Sequence, residues 1–171
     1  MREEDLELAR RWLLQPHVRQ WWSDELAETD YPERTLTRWR RAIRREVPTR
    51  RYIIKLDGRP IGQIQSYLVQ DYPDYETEVG ALGERALSID LFIGEAELVG
   101  KGHGPALIRA FLRDEMPRYD VELCVIGPAT ANRAAVRAYE KAGFRFVRAY
   151  REEDTRFPDH TLLALRRRDL D

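Results

Sequence analysis

A strand, a glycine-rich turn and a helix follow one another near the middle of the chain, and they constrain its fold most. The apolar run Ala86–Ile93, in which Asp90 is the one carboxylate, predicts a buried strand. Val-Gly-Lys-Gly-His-Gly follows at 99–104, and Pro105 then stands where a first helical residue is expected. Glycines let backbone N–H groups converge and a helix start is partly positive, so the turn predicts a phosphate or pyrophosphate site. The alternative is a loop that only turns the chain.

The turn differs from two common nucleotide-binding motifs. A Walker loop needs Ser or Thr directly after Gly-Lys, and here Gly102 follows Lys101. A dinucleotide-binding fold places its glycines in an early strand–turn–helix unit, whereas this turn comes after more than half of the chain. Both motifs are therefore set aside.

The composition is that of a globular protein without disulfides or a metal site. At 171 residues the chain fits one domain, 1–171, and its 29 basic and 30 acidic residues nearly cancel, so no net field favours nucleic acid or an acidic membrane. Cys124 is the one cysteine, which excludes an internal disulfide, and with the three histidines it shows no metal-ligand spacing. No apolar segment approaches the ~18 residues of a membrane span. We expect a soluble cytoplasmic protein that binds neither nucleic acid nor membrane.

Apolar periodicity and turn residues predict an α/β fold around a mixed sheet. Helices are expected at 1–14, at 35–46 with Thr35 as N-cap, and at 132–142 with Gly143 after its end; further strands are expected at 51–56, 60–69, 122–126, 144–150 and 161–165. Asp57-Gly58 predicts a tight hairpin turn. Pro16 is expected to stop the first helix, and a loop at 17–25 that contains Trp21 and Trp22 is expected to follow.

Two stretches carry unusual charge. Residues 70–85 lack clear periodicity and are dense in tyrosine and carboxylates, including Asp74, Glu76 and Glu78, which favours a functional flap that faces a cationic ligand. Residues 35–46 carry an arginine-rich helix face. Such a face is more often solvated than bound to phosphates, so nucleic-acid binding is not expected.

A second motif follows the glycine turn at 132–144, with the sequence Asn-Arg-Ala-Ala-Val-Arg-Ala-Tyr-Glu-Lys-Ala-Gly-Phe. The two motifs together resemble the GCN5-related N-acetyltransferase (GNAT) family, over roughly residues 87–144. This resemblance implies a mixed, mostly antiparallel central sheet flanked by helices in a single domain. It also implies acetyl-CoA as co-substrate and no metal. One departure is Val99, where the family often has Gln or Arg.

The GNAT resemblance assigns roles to residues of both motifs. The backbone of Phe92 and Ile93 would bind the pantetheine arm of the coenzyme. Asn132 would also contact pantetheine, and Tyr139 would lie near the thiol as a general acid. The phosphates would be held by Val99, Gly100, Lys101, Gly102, His103, Gly104 and Pro105. The family's first strand is nearly absent, because the chain starts at what resembles the family's first helix.

A narrower resemblance extends over most of the chain. The segments Gln-Trp-Trp at 20–22, Pro-Ile-Gly-Gln-Ile-Gln-Ser-Tyr at 60–67, Ser-Ile-Asp at 88–90 and Leu-Val-Gly-Lys-Gly-His-Gly at 98–104 are similar to aminoglycoside 6′-N-acetyltransferases, enzymes of antibiotic resistance. The resemblance implies that Asp90 receives or orients the reacting amine. It also implies a cleft for a polycationic sugar, lined by Trp21, Trp22, Tyr67, Asp74, Glu76, Glu78 and Asp159. Gly127 departs from this pattern, since these enzymes often have Asp there.

The predicted chemistry is direct transfer in a ternary complex. An alkyl amine with a pKa of about 10.4 is protonated at pH 7, which opposes reaction by about 4–5 kcal/mol. Asp90 would accept that proton, directly or through water, and the amine would attack the thioester without a covalent enzyme intermediate. Two alternatives stay open: acylation of a hydroxylysine-type siderophore precursor or another small amine, and an acyl-CoA-binding module without turnover. The chain is expected to be a monomer or a homodimer.

Overall fold

The computed structural model describes residues 1–23, 30–80, 82–153 and 155–170. The backbone divides into two compact units. The first unit comprises Met1–Ser66 and Asp90–Val99, and the second comprises Tyr67–Ile89 and Gly100–Asp171. Among the helices in these described ranges, none has the length and apolar character needed to cross a membrane.

The described residues form a six-stranded sheet and a set of helices. The strands are β1 (Arg50–Leu56), β2 (Arg59–Leu68), β3 (Ala86–Ile93), β4 (Leu123–Ile126), β5 (Arg145–Arg151) and β6 (Asp159–Arg166). The described α-helices are α1 (Leu6–Leu13), α2 (Pro16–Trp22), α3 (Glu33–Ile43), α4 (Pro73–Val79), α5 (His103–Tyr119) and α6 (Arg133–Ala142). The strand order is β1-β2-β3-β4-β6-β5. Strands β3 and β4 are parallel, while β1–β2, β4–β6 and β5–β6 are antiparallel, so the predicted mixed, mostly antiparallel sheet is confirmed.

An aromatic cluster fills the core of the first unit. Trp39 stacks on Phe92 with ring centroids 6.2 Å apart, and Trp12 meets the edge of Phe92 at 6.3 Å. Both tryptophans are almost fully buried, as expected for residues on the apolar faces of α1 and α3. Asp57 and Gly58 have φ values of 49° and 80°, which confirms the predicted hairpin turn between β1 and β2.

Two predictions about the first helices are wrong. Residues 16–22 form helix α2 instead of a loop, because Pro16 occupies a first-turn position, where a missing N–H costs nothing. Thr35 is buried inside α3 and is not its N-cap, since the helix already begins at Glu33 after Pro32. Residues 24 and 25 of the predicted loop lie outside the described residues.

The second unit holds residues 86–89 of β3, the glycine turn from Gly100 onwards, and helices α5 and α6. Asn132 caps α6, and Gly143 ends it with a φ of 107°, as predicted. Cys124 is fully buried on β4, as expected for a small core residue. The stretch 70–85 is more regular than predicted, because α4 forms at Pro73–Val79. Proline at the first helical position and acidic residues in the first turn favour that helix start, but seven residues are too few to show periodicity.

Candidate active site

The glycine turn that leads into α5 has the backbone conformation expected of an anion site. Gly100 and Gly102 have φ values of 74° and 85°, a region that side chains disfavour, and a Cβ added at either would have no atom within 4 Å. The backbone of the turn therefore has a conformation that favours glycine, and the space beside these two glycines is free of other protein atoms. Helix α5 begins at His103 with Gly102 as N-cap, two residues earlier than predicted, so its first N–H groups follow the turn directly. Helix α5 is 17 residues long, and the start of such a helix suits a phosphate.

The side chains around the turn add to this site. Lys101 is exposed, His103 is half-buried, and Val99 is 45% exposed. Gly104 lies against α6, because a Cβ there would be 3.6 Å from the Cβ of Ala138. Within the second unit, the structure therefore brings the glycine turn together with the helix that carries the second sequence motif.

Asn132 and Tyr139 take structural roles on α6. The Asn132 Oδ1 accepts a hydrogen bond from the backbone N–H of Ala135 at 3.1 Å, so the side-chain nitrogen is the atom left for a ligand. Tyr139 is only 7% exposed, and its ring packs edge-to-face on Phe144 with centroids 5.5 Å apart. Their predicted roles towards the coenzyme stay predictions.

The backbone at the end of β3, which is predicted to bind a coenzyme arm, is subject to two constraints. The Phe92 ring belongs to the aromatic core, so only its main chain could serve a ligand. The Ile93 carbonyl lies 3.0 Å from His17 Nε2, which makes His17 an unforeseen partner of this segment. A side chain at Gly62 of β2 would collide with the Phe92 carbonyl, so the close approach of these strands requires glycine there.

Asp90 is held by an amide on the neighbouring strand. Gln65 Nε2 of β2 donates to Asp90 Oδ2 at 2.5 Å, and the Asp90 side chain is half-buried. A carboxylate that accepts a short hydrogen bond keeps a defined orientation. The sequence does not identify Gln65 as a partner of Asp90, because the contact depends on the side-by-side placement of two strands.

The aromatic residues predicted to line a substrate cleft are divided between the two units. In the first, Trp22 on α2 is half-buried and packs edge-to-face on Phe92 at 5.0 Å, and Trp21 beside it is also half-buried. In the second, Tyr67 packs on Tyr72 at 5.0 Å. The Trp22 ring is thus largely a core element.

The predicted carboxylates have different environments in the second unit. Asp74 is exposed on α4, and Glu76 accepts a hydrogen bond from Gln70 at 3.5 Å. Asp159 pairs with Arg151 at 3.0 Å, and the same guanidinium pairs with Glu153 at 3.1 Å, so one positive charge is shared by two carboxylates. Burial, followed by the charge and hydrogen bond of Glu152, raises the pKa of Glu78 to about 7.

Glu152 joins Glu78 to His160, and sequence reasoning assigned no role to either Glu152 or His160. The Glu152 Oε2 lies 3.0 Å from His160 Nε2, and His160 Nδ1 lies 2.8 Å from the Gly127 carbonyl. Burial alone would lower the pKa of His160, but these two acceptors outweigh it and raise the pKa. Both ring nitrogens therefore face acceptors, which favours the protonated form of His160. The same hydrogen bond lowers the pKa of Glu152.

Gly127 departs from the expected pattern for a steric reason. A side chain at this position would collide with the hydroxyl of Tyr150, whose ring packs on His160 at 5.3 Å. The space of an aspartate is therefore filled by Tyr150 of β5. Within the described parts of the chain, no group of three His, Cys, Asp or Glu residues could hold a metal ion.

A family model described as an acetyltransferase (GNAT) domain matches residues 2–151. The chain belongs to the GNAT acetyltransferase family. This confirms the resemblance seen in the glycine turn and in the 132–144 motif. The chain is therefore an acetyltransferase of this family.

Relatives and solved structures of this GNAT chain agree with one another. Aminoglycoside N(6′)-acetyltransferases type 1 of Klebsiella pneumoniae and Serratia marcescens are each 33% identical over 151 residues, covering 84% of this chain and 71% of their own length. Crystal structures of aminoglycoside acetyltransferase AAC(6′)-Ib, one in complex with coenzyme A and one with coenzyme A and kanamycin, have a TM-score of 0.80 at 26% identity. These matches cover 99% of this chain and 93% of each of those chains. The predicted narrower resemblance is confirmed at the level of sequence and fold.

Proposed function

We propose that this enzyme transfers the acetyl group of acetyl-CoA to the 6′-amine of aminoglycosides. The observation that carries the proposal is the Asp90 carboxylate, held at 2.5 Å by the Gln65 amide. It lies in a chain whose 33% identical relatives are named for this reaction. An oriented carboxylate is the group that an ammonium substrate requires, both for binding and for losing its proton.

The residues present fit acetyl-CoA. Gly100 and Gly102 form an open turn that a Cβ would begin to fill, and the α5 start follows it, so a pyrophosphate has donors and partial positive charge. The residues proposed to hold the coenzyme are Phe92, Ile93, Val99, Gly100, Lys101, Gly102, His103, Gly104, Pro105 and Asn132. The coenzyme supplies an acetyl thioester, whose carbonyl carbon accepts the amine.

The proton transfers are proposed to use two side chains. Asp90 binds the 6′-ammonium and accepts its proton, which yields the neutral amine. The nitrogen then forms its bond to the acetyl carbon while the carbon–sulfur bond breaks, and it gives its second proton to solvent as the amide forms. Tyr139 gives its hydroxyl proton to the departing sulfur and regains one from solvent, and Asp90 releases the proton it accepted to solvent. A complete turnover therefore leaves the enzyme as it began, and no covalent intermediate is needed.

Substrate binding is proposed to rest on charge. Aminoglycosides carry several ammonium groups, and carboxylates near aromatic faces attract such cations. The residues proposed to bind the sugar are Trp21, Trp22, Tyr67, Asp74, Glu76, Glu78 and Asp159. Glu78, with its pKa raised to about 7, is only partly ionised near neutral pH, and Asp159 shares the charge of Arg151 with Glu153. Trp22 offers the part of its ring that the core leaves exposed.

Thiol release from acetyl-CoA tests the proposed substrate. The panel contains a kanamycin-type aminoglycoside with a 6′-amine, a counterpart with a 6′-hydroxyl, hydroxylysine and a lysine peptide. We expect turnover with the 6′-amine alone. Turnover confined to hydroxylysine would replace the aminoglycoside by a siderophore-type substrate, and silence on all amines would favour an acyl-CoA-binding module.

Asp90→Asn tests the proposed proton acceptor. We expect it to lower kcat by at least ~100-fold while acetyl-CoA binding, followed by calorimetry, stays within about twofold, since general-base catalysis contributes roughly 10²–10⁴. The matched control is Asp114→Asn on the exposed face of α5, which should leave both quantities unchanged. Full activity of Asp90→Asn would remove Asp90 from the mechanism.

A further inference from the structure

A buried glutamine pair lies behind Asp90 in the first unit. Gln63 is fully buried and Gln65 is partly buried, and residues two apart on β2 share one face of the sheet. Across the β1–β2 ladder, Arg51 lies directly opposite Gln65 and its Nη1 donates to Gln63 Oε1 at 3.4 Å. Three polar side chains thus lie together within one unit, and one of them, Gln65, contacts the proposed proton acceptor.

The neighbours fix which way each amide points. Arginine only donates, so the oxygen of Gln63 must face Arg51 and its nitrogen must point away. A carboxylate only accepts, so the nitrogen of Gln65 must face Asp90 and its oxygen must point away. Gln63 is therefore left with a donor to satisfy, and Gln65 is left with an acceptor.

These two remaining atoms and the Nε of Arg51 complement one another. Among the described residues, the buried side-chain atoms without a hydrogen-bond partner are Gln63 Nε2, Gln65 Oε1 and Arg51 Nε. Buried polar atoms in folded proteins are nearly always paired, so each of the three requires a partner. They belong to adjoining residues of β1 and β2 and comprise two donors and one acceptor, so a water between them would accept from the donors and donate to Gln65 Oε1.

The far end of this row is anchored in the core. The Arg51 guanidinium lies over the Trp39 ring at 4.3 Å, and Trp39 is only 1% exposed. A cation held against a buried aromatic face has little freedom. Arg51 therefore gives the glutamine pair a fixed partner on the Gln63 side.

We propose that Gln63 and Gln65 are positioning residues for Asp90, which form with Arg51 a hydrogen-bonded chain that holds the carboxylate in one orientation and in its ionised form. Neither glutamine touches the reacting atoms. This inference rests on the proposed function, because it assigns the chain a purpose only if Asp90 accepts the amine proton.

The test is the pH dependence of kcat/KM in glutamine variants. Gln65→Leu removes the hydrogen bond that favours the carboxylate, so we expect the acidic limb of the profile to move up by roughly one pH unit. Gln65→Glu keeps the size but sets two carboxylates within bonding distance, so the limb should move further, because like charges cannot both ionise. Gln63→Met should shift the limb in the same direction by less than Gln65→Leu. The control Gln15→Leu, at a helix start where the side chain makes no capping bond, should leave the profile unchanged.

Two outcomes would overturn the proposal. One is an unmoved acidic limb in both Gln65 variants. The other is a parallel loss of kcat, acetyl-CoA affinity and melting temperature without a change of profile, which indicates a structural role alone. Asp90→Asn distinguishes the positioning proposal from the proposed function. If Asp90→Asn loses turnover while the pH profiles of the glutamine variants do not move, only the hydrogen-bonded row of glutamines is rejected. Full turnover in Asp90→Asn would reject the proposed role of Asp90 itself.

Discussion

Replacing Glu78 with glutamine should make the protein more stable at alkaline pH and change little at acidic pH. Burial and the neighbouring Glu152 raise the pKa of Glu78 from 4.5 to about 7, so the folded state holds this proton more tightly than the unfolded chain. The stabilisation is fully present below about pH 4.5 and is lost as the pH rises through 7. Glutamine cannot ionise, and its amide can still donate to Glu152.

The size of the effect follows from the pKa shift. A shift from 4.5 to about 7 corresponds to at most about 3.4 kcal/mol at 1.36 kcal/mol per pH unit. Glu78 is only partly buried, so solvent screening reduces this to roughly 1–2 kcal/mol. For a chain of this size that is a rise in melting temperature of roughly 2–8 °C at pH 8.

Thermal unfolding of wild type and Glu78→Gln at pH 4.5, 6 and 8 measures this effect. We expect the difference in melting temperature to grow with pH and to level off above about pH 8. Glu140→Gln, an exposed carboxylate on α6, serves as control and should show no such trend. An equal difference at all three pH values, or a lower melting temperature at pH 8, would refute the reasoning.

Three further changes test other parts of the structure. His160→Gln should destabilise the fold more at pH 5.5 than at pH 8, because a raised histidine pKa gives stability below about 6.5 that fades as the pH rises; equal unfolding curves at both values would contradict this. Asn132→Ser should keep the α6 cap and the melting temperature but raise KM for acetyl-CoA several-fold, whereas an unchanged KM would limit Asn132 to capping. Gly102→Ala should cost about 1–2 kcal/mol at its φ of 85° and raise the acetyl-CoA KM roughly 5–30-fold with kcat nearly constant, and steady-state kinetics with normal KM would remove the turn from coenzyme binding.

The long elements were predictable because their signals are repeated. Strand β3, the glycine turn and α6 each combine an apolar pattern with a terminal residue of fixed conformational preference, such as Gly143. The sequence did not predict helices α2 and α4, because each has only seven residues. That is about two helical turns, which is too short for an apolar pattern to repeat. Pro16 and Pro73 stand at the starts of these helices, but proline is also common in loops, so it does not predict a helix by itself.

The residues of the candidate site also divide into those that the sequence predicts and those that it does not. The glycine turn could be found from the sequence, because its chemistry lies in consecutive residues. The partners of Asp90 and His160 could not, since Gln65 and Glu152 reach them only through the register of neighbouring strands and loops. The pairing of Asp159 with Arg151 was hidden for the same reason.

The position of the acetyl group on the product tests the central proposal most directly. The enzyme is incubated with acetyl-CoA and a kanamycin-type aminoglycoside, and the purified product is assigned by two-dimensional NMR. We predict a single new amide at the 6′-nitrogen, absent when Asp90→Asn replaces the wild type. An acetyl group on another amine, or an unmodified aminoglycoside beside acetylated hydroxylysine, would contradict the proposed function.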